Sequence, residues 1–225
     1  MSLNKQKGNM YPWVTHTWNV IKGKCPHDCP YCYMKIYPQK NIRFDESELQ
    51  TDLGFENIIF VGSSCDMWAE SISIDWIKTV IQHCESFPHN VYLFQSKNPE
   101  RFFEVIDDLP ITFQAIFGTT LETNRDTYTN APEPSERIPW MWELTDQKYR
   151  RFKRMISIEP VMDFDLVQFS MGIRNIHPNF VSIGADSKGH NLQEPNKEKT
   201  LELITRLKTF TEVKIKDNLK RILNY

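Results

Sequence analysis

Three cysteines fall within eight residues of the chain, in Cys25-Pro-His-Asp-Cys29-Pro-Tyr-Cys32, with the spacing C-x3-C-x2-C. Three thiolates on one short loop can converge on three irons of a four-iron cuboid, and the fourth iron is then left without a protein ligand. A structural zinc loop is the bland alternative, with His27 or the distant Cys65 as fourth ligand. Zinc loops more often pair one C-x2-C with a second, separate pair, and this chain has none. A disulfide reading leaves one of the three thiols over.

Other reactive or polar side chains cluster where short apolar runs end. Gly62-Ser63-Ser64-Cys65-Asp66, then Ser96 and Lys97, then Thr119, Thr120 and Glu122 follow three such runs. Glu159, then Asp186 and Ser187, then Lys216 and Asp217 follow three more. A carboxylate such as Glu159 next to an apolar strand is costly to bury unless it is paired or used, and Lys97 and Lys216 are the candidate partners. Cys65 belongs to this polar set. Cys84 instead sits on the apolar face of a helical pattern and reads as core. The run Lys148-Tyr-Arg-Arg-Phe-Lys-Arg154 alternates positive charge with aromatic rings. It suits either a phosphate backbone with stacked bases or a solvated helix face with its apolar side turned in.

The elements that must position these groups alternate. Strand patterns cover His16–Ile21, Asn57–Gly62, Asn90–Gln95, Ala115–Leu121, Met155–Glu159, Phe180–Gly184 and Val213–Lys216. Helical patterns intervene: Ile74, Ile77, Val80, Ile81 and Cys84 share one face, Pro99 opens a second helix, and Asp165–Asn175 forms a third. Pro195 opens a fourth, with Leu201, Ile204, Leu207 and Phe210 as its apolar face. The segment Asn124–Pro139 reads as irregular. Strand-crossover alternation of this kind predicts an α/β fold with a parallel sheet. A complete eight-fold barrel takes about 250 residues, so a partial barrel of six units, (β/α)6, fits 225 residues better. Parallel folds of this type gather their chemistry at the C-terminal strand ends, where the polar groups above fall.

With 40% hydrophobic and 25% charged residues, the composition suits one well-cored domain over residues 1–225. No linker divides it. Residues 1–15 read as an N-terminal arm and 188–225 as an extension of the barrel. A net charge of -2 argues against a protein whose main task is to coat nucleic acid. No apolar run is long enough to span a membrane, and the polar start lacks the apolar core of a secretion signal. An odd number of cysteines, three of them in one loop, fits a reducing compartment, and the expected location is cytoplasmic.

The cysteine loop, with Tyr31 in its aromatic place, resembles the C-x3-C-x-aromatic-C signature of the radical S-adenosylmethionine (SAM) superfamily. That resemblance implies the same six-fold partial barrel. It implies a 4Fe-4S cluster on Cys25, Cys29 and Cys32, with SAM chelating the open iron. One-electron reduction would cleave SAM to methionine and a 5′-deoxyadenosyl radical that abstracts hydrogen from the substrate. A reductase or flavodoxin-type electron donor is then a required partner.

The same resemblance places Tyr31 near the adenine and the Gly62–Asp66 segment near the SAM amino group. The superfamily usually has Gly-Gly-Glu-Pro there, and only Gly62 matches; Ser63, Ser64 and Asp66 would supply the acceptors. Thr120, Glu122 and Asn124 fall where the ribose and carboxylate are contacted. Cys65 is a candidate to return a hydrogen atom to a product radical, and Glu159 and Lys97 are candidate catalytic groups. His16-Thr-Trp-Asn, Phe60-Val-Gly-Ser, Asp66-Met-Trp, Ser96-Lys-Asn-Pro-Glu-Arg101, Arg137-Ile-Pro and Ile156-Ser-Ile-Glu-Pro160 further resemble a compact, phage-associated radical SAM-like family of unknown function. That kinship and the basic run favour a nucleoside or nucleic-acid base as substrate. The rival expectation is a metal-binding module without SAM, serving iron-sulfur electron transfer or holding structural zinc.

Overall fold

Seven short strands, separated by crossovers, pair in parallel in the order of the chain. They are β1 (His16–Trp18), β2 (Ile58–Val61), β3 (Val91–Ser96), β4 (Gln114–Thr120), β5 (Lys153–Ile158), β6 (Phe180–Ile183) and β7 (Glu212–Ile215). The computed structural model describes residues 3–127 and 129–224, so the first two residues of the polar start lie outside them. A two-residue strand, Asn4–Lys5, pairs antiparallel with β1 at one edge, and β7 forms the other edge. The sheet is therefore open, a partial barrel with one more parallel strand than six units require.

Period-two alternation sorts each strand onto two faces. Ile59, Val61, Phe94, Phe117, Ile156, Val181 and Ile183 share the helix-side core. Leu93, Ile116, Met155 and Phe180 face the opposite way and pack with Tyr11 and Val14 from the first fifteen residues. Trp13 stacks on Tyr11 at 5.3 Å and meets Phe180 edge-on at 5.1 Å. This segment thereby fills the lower part of the concave face.

Four helices back the sheet: α1 (Ile74–Glu85), α2 (Pro134–Glu143), α3 (Leu166–Asn175) and α4 (Lys197–Leu207). In α1 the Ser73 hydroxyl accepts from the Asp75 amide, and the expected residues Ile77, Val80, Ile81 and Cys84 are buried. In α4, Leu203 takes the place expected of Leu201, which is 36% exposed. The segment expected to be irregular, residues 124–139, includes the first part of α2. Its start is marked by Glu133, whose amide donates to the Glu136 carboxylate at 2.7 Å, and by Pro134 in the first turn. Pro139 within the helix masked it.

The first strand is shorter than predicted. The Asn19 side-chain carbonyl accepts from the Ser64 amide at 2.9 Å and the Ser63 hydroxyl at 3.2 Å. This draws the chain out of the sheet, and Ile21–Lys22 pairs instead with Arg43–Phe44. The basic run also differs from both readings. It is a 3-10 turn leading into β5, at the N-terminal end of the strands, with Tyr149 and Phe152 buried. Arg151 donates to the carbonyls of Leu109 and Pro110, and Arg154 to those of Leu144 and His177. These arginines tie loops together at the end of the barrel away from the cysteines. They offer no track for a nucleic acid at the cavity.

Candidate active site

The cysteine loop leaves β1 and folds back over the C-terminal ends of β2 and β3. Two tight turns shape it: the Asp28 amide donates to the Cys25 carbonyl at 3.2 Å, and the Cys32 amide to the Cys29 carbonyl at 3.1 Å. Gly23 at its entrance has φ +117°, and a Cβ there would lie 2.5 Å from the Asn41 carbonyl oxygen, so only glycine lets the two segments approach. Cys25, Cys29 and Cys32 are free thiols on the wall of one cavity of about 520 Å³. Burial pushes the thiols of Cys29 and Cys32 up. A hydrogen bond from Cys65 lowers that of Cys25 to about 6.

His27 inside the loop is tied to the scaffold through one ring nitrogen. Its Nε2 meets the Asp66 carboxylate at 2.8 Å, and both are nearly enclosed. Asp66 in turn accepts from the Ser96 hydroxyl and the Lys97 amide, each at 2.9 Å, and from the Trp68 amide at 3.0 Å. Four donors saturate a carboxylate. Asp66 borders the cavity, yet its oxygens are committed to the scaffold and not free for an ammonium as expected. It ties the cysteine loop to the ends of β2 and β3. Ser63 and Ser64 stand beside it, fixed through Asn19. Gly62 adopts φ +78°, and a Cβ there would press on the Cys65 carbonyl at 3.2 Å. Cys65 is 2% exposed, with its thiol on Cys25. It touches the cavity from behind the loop.

A charge network whose Glu122 and Arg137 are fully buried lies under the loop. Glu122 is enclosed between Lys97 Nζ and Arg137 Nη1, each at 2.8 Å, and the Tyr31 hydroxyl donates to it. Lys97 also lies over the Tyr31 ring at 5.3 Å. Burial alone would raise the Glu122 carboxyl; Lys97 and Arg137 outweigh it and hold the group at about 2. Glu122 was expected on the cavity wall to meet a ribose. The structure places it behind the wall, while Lys97 and Thr120 remain on it. Two cations against one carboxylate leave this buried region with an excess positive charge, and Arg137 Nη2 has no partner among the described residues.

The opposite wall holds Glu159. Lys216 Nζ reaches it at 2.7 Å, and the side-chain amides of Asn9 and Asn218 donate to it at 2.8 and 3.0 Å. Lys216 is thus its partner, as one of the two expected; Lys97 belongs to Glu122. On the floor, the Tyr11 hydroxyl joins Gln95 at 2.9 Å and Ser157 at 2.7 Å, and Gln95 donates to Thr120 at 3.0 Å. Sequence reasoning missed Asn9, Tyr11, Gln95 and Arg137. Gln95 carried a signal, as a polar residue in an apolar strand, whereas the arm residues carried none.

The donor set fits an iron-sulfur cluster better than a single metal ion. Among the described residues, no three His, Cys, Asp or Glu side chains gather closely enough for one ion. A cuboid takes each thiolate on a different iron and needs them spread apart. The excess buried positive charge suits an anionic occupant such as three thiolates and their cluster. His27 and Cys65, the candidate fourth ligands for zinc, do not gather with the loop thiols closely enough for one ion among the described residues.

No family model matches the chain, and no curated protein matches it. Solved structures of spore photoproduct lyase are similar to it. A mutant with bound AdoMet and dinucleoside spore photoproduct aligns with a TM-score of 0.59 at 10% identity, over 93% of this chain and 66% of that one. Another mutant aligns with a TM-score of 0.66 at 9% identity, over 95% and 80%. The chain therefore spans about two thirds of the length of the first, and no helix among its described residues is long and apolar enough to cross a membrane. At such identities the likeness is one of architecture: the chain has the partial-barrel α/β fold of spore photoproduct lyase.

Proposed function

We propose that the chain is a radical SAM enzyme of one domain, akin to the compact phage-associated family its motifs resemble. Cys25, Cys29 and Cys32 would hold a 4Fe-4S cluster, and SAM would lie against Gly62, Ser63, Ser64 and Thr120, with Tyr31 at the loop. When bound, the cluster and SAM supply a one-electron reductive cleavage that yields a 5′-deoxyadenosyl radical for hydrogen abstraction. The single observation that carries this reading is the convergence of three free thiols and the polar ends of six strands on one cavity.

The chain's own residues divide the work. Asp66 and His27 hold the cysteine loop in register with β2 and β3. Lys97 and Arg137, compensated only in part by Glu122, set a positive potential behind the thiols. The arm closes the floor and limits water from that side. Tyr11, Gln95 and Ser157 offer neutral hydrogen-bonding groups to an uncharged substrate group, such as a nucleoside or nucleic-acid base. Glu159, paired with Lys216, accepts from Asn9 and Asn218 and so holds both amides in place on its wall. A reductase or flavodoxin-type protein would deliver the electron, and the free thiols suit a reducing cytoplasm.

Anaerobic reconstitution with iron and sulfide should give about four irons per chain and a brown protein. Dithionite and SAM should then release 5′-deoxyadenosine. Replacing Cys25, Cys29 and Cys32 by Ala together should abolish colour and release alike. A brown protein that releases none would leave electron transfer as the function, and a colourless protein carrying zinc would remove both.

A further inference from the structure

The charges lining the cavity are arranged by depth. Among the described residues, both lysines inside it already have an anion, Lys97 with Glu122 at 2.8 Å and Lys216 with Glu159 at 2.7 Å, and the two histidines on its wall are hydrogen-bonded to carboxylates, His27 to Asp66 at 2.8 Å and His190 to Asp186 at 2.6 Å. Two more lysines line the mouth, Lys7 and Lys188. Both are exposed, and neither side chain has an ion pair or hydrogen bond among the described residues. Two aromatic rings that follow Cys32 also line the cavity, Tyr33 and Tyr37, 43% and 55% exposed. Tyr33 is held in place by its hydroxyl, which donates to the Ser63 carbonyl at 2.9 Å.

We propose that the substrate is a single strand of nucleic acid, with one nucleotide inside the cavity, its neighbours stacked on Tyr33 and Tyr37, and flanking phosphates on Lys7 and Lys188. This rests on the reading of the cavity as a radical SAM site and names its substrate. The depth gradient carries the argument. Among the described residues no unpaired cation lines the interior to receive a phosphate, since the excess charge of Arg137 lies behind the wall, while Tyr11, Gln95 and Ser157 present neutral donors and acceptors suited to a base edge. Free cations and exposed aromatic rings meet only at the rim, which is the combination that holds single strands without reading sequence. Size points the same way. A cavity of about 520 Å³ is that of one small ligand. It is too small to take in an oligonucleotide, so a strand must continue outside.

The reconstituted full chain is titrated into a fluorescein-labelled single-stranded 12-mer, and anisotropy is read over a series of salt concentrations. Two phosphate contacts predict a slope of log affinity against log salt of about -1.4. Lys7→Ala with Lys188→Ala should bring that slope to near zero. Tyr37→Ala should weaken binding by roughly tenfold with the slope unchanged, as a lost stacking contact does. Iron content and far-ultraviolet circular dichroism serve as the folding controls. No binding by the wild-type chain, affinities unmoved by both sets of substitutions, or equal competition by a free nucleoside or by polyglutamate would each overturn the proposal. These outcomes are separate from the radical SAM reading. A chain that releases 5′-deoxyadenosine yet ignores the strand keeps that reading and loses this substrate, and strand binding without release does the reverse.

Discussion

Glu122→Gln tests the charge network under the cysteine loop. The substitution keeps the side chain's shape and leaves an acceptor for the Tyr31 hydroxyl, but it strands Lys97 and Arg137 at zero exposure on the Glu122 and Arg137 side chains. Removing one partner of a buried ion pair costs about 3–5 kcal/mol. The ionisation of Glu122 gives a second route to the magnitude. A carboxyl moved from its ordinary 4.5 to about 2 on folding contributes about 3 kcal/mol. Lys97 can relieve part of the strain by losing its proton, whereas Arg137 cannot, so about 3 kcal/mol is expected. That is a large share of the stability of about 5–15 kcal/mol typical of a domain. Because the folded-state value lies below the unfolded one, the contribution is complete above about pH 4.5 and is lost as the pH falls through about 2. Urea unfolding of the apo chain, followed by tryptophan fluorescence, should show the variant less stable by about 3 kcal/mol at pH 7 and by about half of that at pH 3. A gap below about 1 kcal/mol at pH 7, or one equally wide at pH 3, would refute the network as described.

Two further substitutions probe the walls. Asp66→Asn turns an amide nitrogen toward donors that a carboxylate satisfied, so it should cost about 2–4 kcal/mol in urea unfolding. It should also lower the iron retained per chain after gel filtration, and full iron retention would count against Asp66 as the tether of the loop. Lys216→Met should destabilise by about 3 kcal/mol, and adding Glu159→Gln should recover part of that loss, since the pair is then removed as a unit; additive losses would show that the two do not act together.

The cysteine loop and the strands were legible because their signals are local. Thiol spacing lies within eight residues, and β2 to β6 each carry a short apolar run and β7 a period-two alternation, at lengths that suit strands better than helices. Helix α2 was not legible, because Pro139 argues against a helix unless the Glu133–Glu136 cap before it is recognised. The basic run misled for a related reason. Aromatic and basic alternation is the same whether Tyr149 and Phe152 face a base or the core, and only the turn into β5 decides. Asn9 and Tyr11 could not have been placed at all, since an arm without periodicity can cross any face of a sheet.

The pairing of charges was the hardest part to foresee, and strand order explains how it resolved. Lys97 ends β3 and Glu122 follows β4, so these are adjacent strand ends, and the two side chains meet directly. Glu159, at the end of β5, stands one strand further on, out of reach of Lys97 once Glu122 has taken it. Its other candidate, Lys216, follows β7, and β6 lies between them. A side chain at the end of β6 would block that approach. The chain has Gly184 there, where a Cβ would fall 2.9 Å from Glu159 Oε1 and 2.8 Å from the Asn218 side chain. One missing Cβ thus lets a carboxylate and a lysine close across an intervening strand. The two pairs then stand on opposite walls and leave the floor between them neutral. A site arranged that way can admit an uncharged group deep inside while it leaves anions at the mouth.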